Sequence, residues 1–255
     1  MKVQDSIAMV TGGASGLGEA CVRMLVSKGG KATILDLQED RAEKLISELG
    51  SNVVFAKTDV TNEESVQNAV KKTIDAFGGI NVVINCAGVG DPAKLLSKKG
   101  PMPLSFFNRV VQINLVGTFN VIRLAVEQMV KNAPGKDGEK GVVINTASAA
   151  AFDGQVGQPA YSASKAGVVG MTLPLARECA DYGIRVMTIA PGLFNTPMLA
   201  ILPEAARLAL GKMVPFPARF GEPSEYAELC QHIIENPMLN GEVIRLDGAI
   251  RMTAK

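Results

Sequence analysis

Short apolar runs alternate with helical patterns along the chain, and this alternation restricts the possible folds more than any other feature of the sequence. The runs that we predict to be strands are residues 7–10, 32–35, 53–55, 82–84, 142–145, 186–189 and 243–246. Continuous apolar runs are typical of parallel strands that are covered on both faces. The pattern therefore predicts an α/β fold, with a doubly wound parallel sheet of about seven strands and helices on both faces.

Nothing in the composition divides the chain into parts. Its 255 residues exceed the usual length of about 150 per domain, but no linker interrupts the pattern. Hydrophobic residues make up 47% of the chain, enough to cover both faces of a buried sheet. We predict a single domain over 1–255. An apolar, proline-broken stretch at about 194–220 is predicted to be a lid over an apolar substrate, with a buried helical hairpin or a subunit contact as the alternative.

Charge and cysteine spacing argue against several classes of function. The net charge is +1 and the lysines and arginines are scattered, so neither nucleic acid nor a membrane is expected as a partner. The four cysteines have no paired spacing and there is one histidine, which predicts a reducing compartment and no metal site. The N-terminus runs into the first strand without a targeting segment, and no uninterrupted apolar run approaches about 18 residues. We predict a cytoplasmic protein, although a mitochondrial one would look the same after removal of a leader.

A glycine-rich turn follows the first predicted strand and opens a helical pattern. Residues 11–18 read TGGASGLG, which places Gly12, Gly16 and Gly18 in the spacing G-x-x-x-G-x-G. Glycines at such a turn let backbone N–H groups approach a pyrophosphate, which the helix N-terminus also favours. The order strand, glycine turn and helix therefore indicates a phosphate cradle. The alternative is a strand-to-helix turn that needs glycine only for its backbone geometry.

Acidic residues end the second and third predicted strands. Asp36 lies eighteen positions after Gly18, close to the spacing at which a carboxylate binds the ribose hydroxyls of a dinucleotide. A carboxylate there repels a 2′-phosphate, which favours NAD over NADP; capping of the next helix is the alternative for Asp36. Asp59 is predicted to accept from an adenine amino group or to form a strand-end turn. Asn85, at the end of the fourth strand, is predicted to tie neighbouring strands together.

A tyrosine and a lysine form the candidate catalytic pair. Tyr161 and Lys165 are one turn apart on a predicted helix, and Ser148 lies thirteen residues before Tyr161. A nearby ammonium favours phenolate and so lowers the pKa of a tyrosine. Ser148 then hydrogen-bonds a substrate oxygen while Tyr161 exchanges its proton. Asn114 lies in mid-helix, where we expect its side chain to disturb the helix and a backbone carbonyl to hold a water beside Lys165.

The combined motifs resemble those of the short-chain dehydrogenase/reductase family, which has a Rossmann-like fold. The resemblance covers the whole chain and rests on the glycine motif, Asn85-x-Ala87-Gly88, Asn114, Ser148, Tyr161-x-x-x-Lys165 and Pro191-Gly192. Cys86 departs from the commoner asparagine, a change that we expect to be tolerated because Asn85 and Gly88 remain. The resemblance implies that Tyr161 is the general base, that Ser148 orients the substrate, that Lys165 binds the nicotinamide ribose and that Asn114 holds the relay water.

The resemblance also implies the cofactor and a set of contacts. The cofactor is NAD. The implied dinucleotide contacts are Gly12, Ser15, Gly16, Leu17, Gly18, Asp36, Asp59, Val60, Cys86, Ala87, Tyr161, Lys165, Phe194 and Thr196, and the implied substrate contacts are Ser148, Gln155 and Tyr161.

Three stretches are similar to one branch of this family. They are 154–158, 186–196 and 235–252, and the longer loop around Lys94 to Lys99 also fits that branch. The similarity implies oxidation of short or 2-methyl-branched L-3-hydroxyacyl-CoA, an apolar secondary-alcohol substrate, and a homotetramer. A steroid or simple alcohol dehydrogenase is the first alternative. The second is a nucleotide-bound scaffold, against which the presence of Ser148, Tyr161, Lys165 and Asn114 together argues.

Overall fold

A seven-stranded parallel sheet forms the centre of the computed structural model, which describes residues 1–200 and 204–254. The strands are β1 (Ile7–Thr11), β2 (Lys31–Asp36), β3 (Val53–Lys57), β4 (Val82–Asn85), β7 (Gly141–Thr146), β8 (Ile184–Pro191) and β9 (Val243–Leu246). They pair in the order β3-β2-β1-β4-β7-β8-β9, and every pairing is parallel. The predicted fold class is therefore confirmed.

Helices cover both faces of this sheet because alternate residues of each strand point to opposite sides. On one face Val10 and Ile34 pack with α1 (Gly16–Ser27), α2 (Glu39–Leu49) and α9 (Pro223–Glu235). On the other face Met9 and Val83 pack with α3 (Glu63–Phe77), α5 (Gly117–Met129) and α6 (Pro159–Ala180). Burial on both faces explains why the strands contain continuous apolar residues.

The helix predicted from 104 to about 131 has a wider turn in its middle. It consists of α4 (Leu104–Val111), a π-helical turn (Gln112–Val116) and α5, and Asn114 lies in the π turn. The expected disturbance of the helix at Asn114 is thus present. By length and composition the stretch Leu104–Met129 is apolar enough to cross a membrane. However, a helix that packs on a sheet meets the same criteria, and Val121, Ala125 and Met129 are fully buried in the core.

The segment predicted to be a lid contains two short helices. These are α7 (Pro197–Ala200) and α8 (Glu204–Gly211), and the end of the segment pairs back to its start through the bridge between Phe194 and Gly221. Residues 201–203, which belong to this prediction, lie outside the described residues. Before α4, the chain forms a small hairpin of β5 (Leu96–Ser97) and β6 (Gly100–Pro101).

The strand order reverses between β1 and β4, and this reversal locates the ligand edge of the sheet. From β1 the chain moves through β2 to β3 at one edge and then crosses to β4 on the other side of β1. At such a switch point the loops after the two strands separate and leave a crevice beyond the carboxyl ends. The glycine turn, Asp36, Asn85 and Ser148 all lie at or just after strand ends at this edge.

Candidate active site

The glycine turn after β1 forms a tightly packed cradle. Gly12 and Gly16 have positive φ angles of 63° and 55°, which side chains with a Cβ rarely adopt. A Cβ on Gly18 would lie 2.2 Å from the carbonyl oxygen of Gly12, so only glycine permits this contact between turn and helix. Ser15 is the N-cap of α1, and its side chain makes no capping hydrogen bond. The first N–H groups of the helix and this turn therefore lie together at the switch point, as a phosphate cradle requires.

Asp36 lies at the end of β2, next to the glycine turn. Its carboxylate accepts hydrogen bonds from the backbone N–H groups of Ala14, at 3.1 Å, and Gln38, at 3.0 Å. The N-cap of α2 is Gln38, so the alternative that Asp36 itself caps this helix is wrong. The carboxylate instead joins the glycine turn to the end of β2, in the position expected of a group that binds ribose hydroxyls.

The ends of β3 and β4 bring further predicted contacts to the same edge. Asp59 accepts hydrogen bonds from both the backbone N–H and the hydroxyl of Thr61. These bonds form the predicted strand-end turn. Val60 is buried, and its carbonyl accepts from the side chain of Asn120. Ala87 donates its N–H to the Thr11 hydroxyl at 3.0 Å, which fixes the start of the β4 loop against the glycine turn.

Two predictions on β4 and its loop concern side chains that point into the protein. Asn85 donates to Asn145 on the neighbouring strand at 2.9 Å, which confirms its structural role. The thiol of Cys86 contacts the hydroxyls of Thr146, at 3.6 Å, and Tyr226, at 3.9 Å. Its side chain is thus partnered within the protein, and a contact of Cys86 with a dinucleotide stays a prediction.

Asn114 fixes the loop after β4 through its side chain. Its amide donates to the carbonyl of Val89 at 2.9 Å and accepts from the Val89 N–H at 2.8 Å. The same amide donates to the Ser164 hydroxyl, which in turn donates to the Tyr161 carbonyl at 2.7 Å. The backbone carbonyl of Asn114 accepts a hydrogen bond from the hydroxyl of Thr118 at 2.8 Å. Asn114 therefore joins the β4 loop to the helix that carries Tyr161, and its role in holding a relay water stays a prediction.

Lys165 is a buried cation next to the end of β7. Only 4% of the residue is exposed, and its ammonium donates to the Thr146 carbonyl at 2.7 Å. Burial lowers the pKa of Lys165 to about 8, partly offset by the Cys86 thiol. The ammonium lies 6.0 Å from the centroid of the Tyr161 ring, which confirms that the two side chains share one side of α6.

The pKa of Tyr161 differs from the expectation drawn from its neighbour. Burial raises the pKa of the phenol, and the Ser148 hydroxyl offsets only part of this rise. The expected lowering by Lys165 is thus wrong for the unliganded protein, because the desolvation of the phenolate dominates. Ser148 accepts from the Ala150 N–H at 3.1 Å, which leaves its own proton available to donate. Ser148 and Tyr161 together provide a hydroxyl donor and a proton-exchanging phenol.

The remaining predicted contacts divide into surface and core positions. Thr196 lies beside the glycine turn, since its methyl group is 3.4 Å from the place of a Cβ on Gly16. Gln155 lies in the loop between Ser148 and Tyr161 and borders an open pocket of about 530 Å³. Phe194, predicted as a dinucleotide contact, is only 6% exposed and packs edge-on against Tyr226, with 6.5 Å between ring centroids. Its side chain is therefore part of the core, and a contact of Phe194 with a dinucleotide stays a prediction.

Sequence reasoning missed several groups that hold the site together. The Thr146 carbonyl positions Lys165, and Ser164 connects Asn114 to Tyr161. Met198 of α7 lies against the β4 loop, with its sulfur 2.9 Å from the place of a Cβ on Gly90. Of these groups only Ser164 could have been found from the sequence, because it lies next to Lys165 in the Tyr161 motif. The other two contacts join segments that are distant in sequence.

The residues at this edge fit a dinucleotide. The glycine turn offers backbone N–H groups to a pyrophosphate, and Asp36 offers a carboxylate to a ribose. Tyr161 and Lys165 lie across the switch point at the end of β7, where the nicotinamide half of such a molecule would be held. Among the described residues, no cluster of three or more histidine, cysteine or acidic side chains is arranged to hold a metal ion.

Comparison with known proteins gives the family. Residues 6–206 match the model for short chain dehydrogenase. The chain is 56% identical over 252 residues to human 3-hydroxyacyl-CoA dehydrogenase type-2, covering 98% of this chain and 97% of the relative. It is 54% identical over 252 residues to the enzyme of that name from Drosophila melanogaster, covering 98% and 99%.

A solved structure agrees with these relatives. The crystal structure of 3-hydroxyacyl-CoA dehydrogenase type-2 from Mycobacterium avium matches with a TM-score of 0.93 and 40% identity, covering 97% of this chain and 96% of that chain. Matches of this extent agree with the Rossmann-like topology and with the motifs at the carboxyl edge of the sheet. The chain therefore belongs to the short-chain dehydrogenase/reductase family of NAD(P)-dependent oxidoreductases.

Proposed function

We propose that this chain oxidises L-3-hydroxyacyl-CoA, with a short or 2-methyl-branched acyl chain, to 3-oxoacyl-CoA and uses NAD. The observation that carries the reaction class is the convergence of Ser148, Tyr161 and Lys165 beside the glycine turn at the switch point. The acyl-CoA substrate is supported by the names of the relatives that are 54% and 56% identical over nearly the full chain. NAD would accept the hydride, and the protein would position the substrate against it and transfer the proton.

The proton is handled by Tyr161 and its neighbours. The Ser148 hydroxyl donates a hydrogen bond to the substrate oxygen and holds the alcohol against the phenol. Tyr161, as phenolate, takes the proton of the substrate hydroxyl. The C–H bond at the carbon that bears this hydroxyl breaks at the same time. A positive charge brought near the buried phenol favours phenolate, which opposes the burial that raises its pKa in the unliganded protein. Lys165, held by the Thr146 carbonyl, provides part of that charge while its amine is protonated, and it binds the ribose.

Asp36 supports the proposal of NAD over NADP. Its carboxylate is directed to the glycine turn by the N–H of Ala14. A 2′-phosphate at the same ribose would meet this carboxylate as a like charge. Leu37, the next residue, is exposed and apolar and offers no cation to compensate.

We propose that the protein acts as a homotetramer. Apolar side chains are exposed on the outer surfaces of α4, the π turn, α5 and α6, at Leu104, Val116, Phe119 and Leu173. Such a set is typical of a surface that a second subunit covers. Sedimentation velocity tests this proposal, and a monomer at micromolar concentration would refute it.

A second substrate class is favoured by the lid segment. Met198, Leu208 and Phe216 are exposed by 48%, 62% and 83%, so the described part of the segment 194–220 presents apolar side chains, and Met198 lies against the β4 loop. Apolar side chains suit a steroid or another apolar secondary alcohol as well as an acyl chain. A non-catalytic scaffold has no comparable support, because Ser148, Tyr161, Lys165 and Asn114 are all present.

The test compares NADH formation with four substrates. These are 3-hydroxybutyryl-CoA, its 2-methyl homologue, free 3-hydroxybutyrate and a hydroxysteroid, each with wild type and Tyr161→Phe. We expect the thioesters to be preferred and the Tyr161→Phe variant to lose activity while it still binds NADH. Preference for the steroid or the free acid would refute the acyl-CoA substrate and keep the reaction class. Full activity of Tyr161→Phe would refute the mechanism.

A further inference from the structure

The C-terminal segment, residues 247–254, packs against the loop that joins Ser148 to Tyr161. This substrate loop comprises residues 149–158 between Ser148 and Tyr161. The Gln155 side chain donates to the Thr253 carbonyl at 3.0 Å, and the Val156 N–H donates to the Ala254 carbonyl at 3.1 Å. The position of Gln155, a predicted substrate contact, therefore depends on where the C-terminal segment lies.

Arg245 forms the central contact between the two segments. Its guanidinium donates to the Asp153 carboxylate of the substrate loop at 2.6 Å and to Asp247 at 2.7 Å. It also donates to the Ile250 carbonyl at 3.0 Å and lies over the Phe152 ring, 5.1 Å from its centroid. One side chain thus joins the substrate loop, the C-terminal segment and the last strand of the sheet.

Several features make this pairing stronger than an ordinary surface ion pair. Arg245 and Asp153 are each only 20% exposed at their side chains, and Asp247 is 6% exposed. Arg245 is also held in place, because β9 pairs with β8 along its length. Hydrogen bonds to charged, partly buried groups are stronger than those between solvated ones. The hydrogen bond from Arg245 lowers the pKa of Asp153, which keeps that carboxylate ionised.

The turn at residues 247–248, which follows β9, also contacts Gly192 and the lid segment. The backbone of Asp247 packs against Gly192, where an added Cβ would lie 2.9 Å from the Asp247 Cα. Gly248 has a φ of +59° and its carbonyl accepts from the N–H of Phe216 at 3.3 Å. Residues 247–248 thus lie between the substrate loop and the lid segment, and contact both through Arg245 and Gly248.

We propose that Arg245 is a positioning residue for substrate, which acts by holding Asp153 and so fixes Gln155 and the substrate loop. This inference rests on the proposed function, since it concerns how that substrate is bound. Arg245 contacts none of Ser148, Tyr161 and Lys165 in the hydrogen bonds and ion pairs of the described residues. Its loss should therefore weaken substrate binding and leave proton transfer and dinucleotide binding in place.

The kinetic test uses Arg245→Met, Asp153→Asn and their double variant in the full chain. We expect each single variant to raise KM for 3-hydroxybutyryl-CoA roughly tenfold, equivalent to about 1.4 kcal/mol, with kcat within about twofold of wild type. The double variant should resemble Arg245→Met, because Asp153→Asn breaks a contact that Arg245→Met has already removed. Asp153→Glu keeps the charge, so its KM should stay close to the wild-type value.

Arg23→Met is the matched control. Arg23 also bonds two carboxylates, those of Glu19 and Glu48, but it lies on the outer surface of α1. A purely structural role of Arg245 would lower the melting temperature and leave KM unchanged, and that result refutes the proposal. Equal increases in KM and in the Kd of NADH would also refute it, because the effect would then not be specific to the substrate loop.

A second readout does not depend on the substrate. Hydrogen exchange of the peptide containing 149–158, measured without ligand, should be faster in Arg245→Met than in wild type and unchanged in Arg23→Met. Unchanged exchange refutes the proposal. A wild-type protein that fails to oxidise the thioester refutes the proposed function instead, while the exchange result still decides whether Arg245 holds the loop.

Discussion

Replacing Lys165 by methionine should change how the stability of the unliganded protein depends on pH. The folded protein holds this ammonium with a pKa of about 8, whereas the ordinary value is 10.5. Between these values the unfolded chain binds more protons than the folded one, so the stability of the wild type rises with pH. The difference between these two pKa values corresponds to roughly 3 kcal/mol of destabilisation at neutral pH. About 2 kcal/mol of this should be recovered between about pH 7 and 9.5.

Urea unfolding of both proteins across this range tests the magnitude. The difference in unfolding free energy between wild type and Lys165→Met should move by about 2 kcal/mol in favour of the wild type as pH rises. Tyr161 has a raised pKa and contributes the opposite slope, but only above about pH 10, outside this range. The same comparison should be repeated with Cys86→Ala in both proteins; because the charge of the Cys86 side chain raises the pKa of Lys165, the rise in stability should then begin at a lower pH. A difference that is constant with pH would refute the argument that burial has lowered this pKa.

Four further substitutions test the glycine turn, Asp36 and the loop around Lys94 to Lys99. Gly18→Ala should abolish dinucleotide binding and destabilise the fold by about 1–3 kcal/mol through its clash with Gly12, measured by calorimetry. Gly170→Ala, with no atom within 4 Å of the new Cβ, should instead be neutral or stabilise by up to about 1 kcal/mol. Asp36→Ser should raise KM for NAD and lower KM for NADP, and an unchanged ratio would refute the role of the carboxylate. Lys98→Glu should raise KM for the CoA thioester and spare a pantetheine analogue; equal effects would exclude a contact with a CoA phosphate.

Local patterns in the sequence predicted the sheet and the edge where the site lies. Strands buried on both faces leave continuous apolar runs, and the residues after them fall at one edge whatever the strand order. The pairing of Asn85 with Asn145 was predicted in kind because a buried amide at a strand end needs a partner. These features depend on residues that are close in sequence or on the geometry of parallel strands.

Features that depend on distant contacts could not be predicted in the same way. The direction of the Tyr161 pKa depends on burial by surrounding segments, and the sequence showed only Lys165. Phe194 is a core residue because Tyr226, from a helix near the end of the chain, packs against it. Arg245 lies within the stretch 235–252, but it reaches Asp153 from 92 positions away, and nothing in the sequence connects the two residues.

The most direct test of the account is the ionisation of Tyr161 with and without bound NAD⁺. The chain has three tyrosines and no tryptophan, so phenolate absorbance at about 295 nm can be assigned by subtracting the titration of Tyr161→Phe. Tyr161 should titrate above the ordinary tyrosine value in the unliganded protein and at a lower pH in the complex. A phenol that titrates at the same pH in both states would contradict the role of Tyr161 as the base of the reaction.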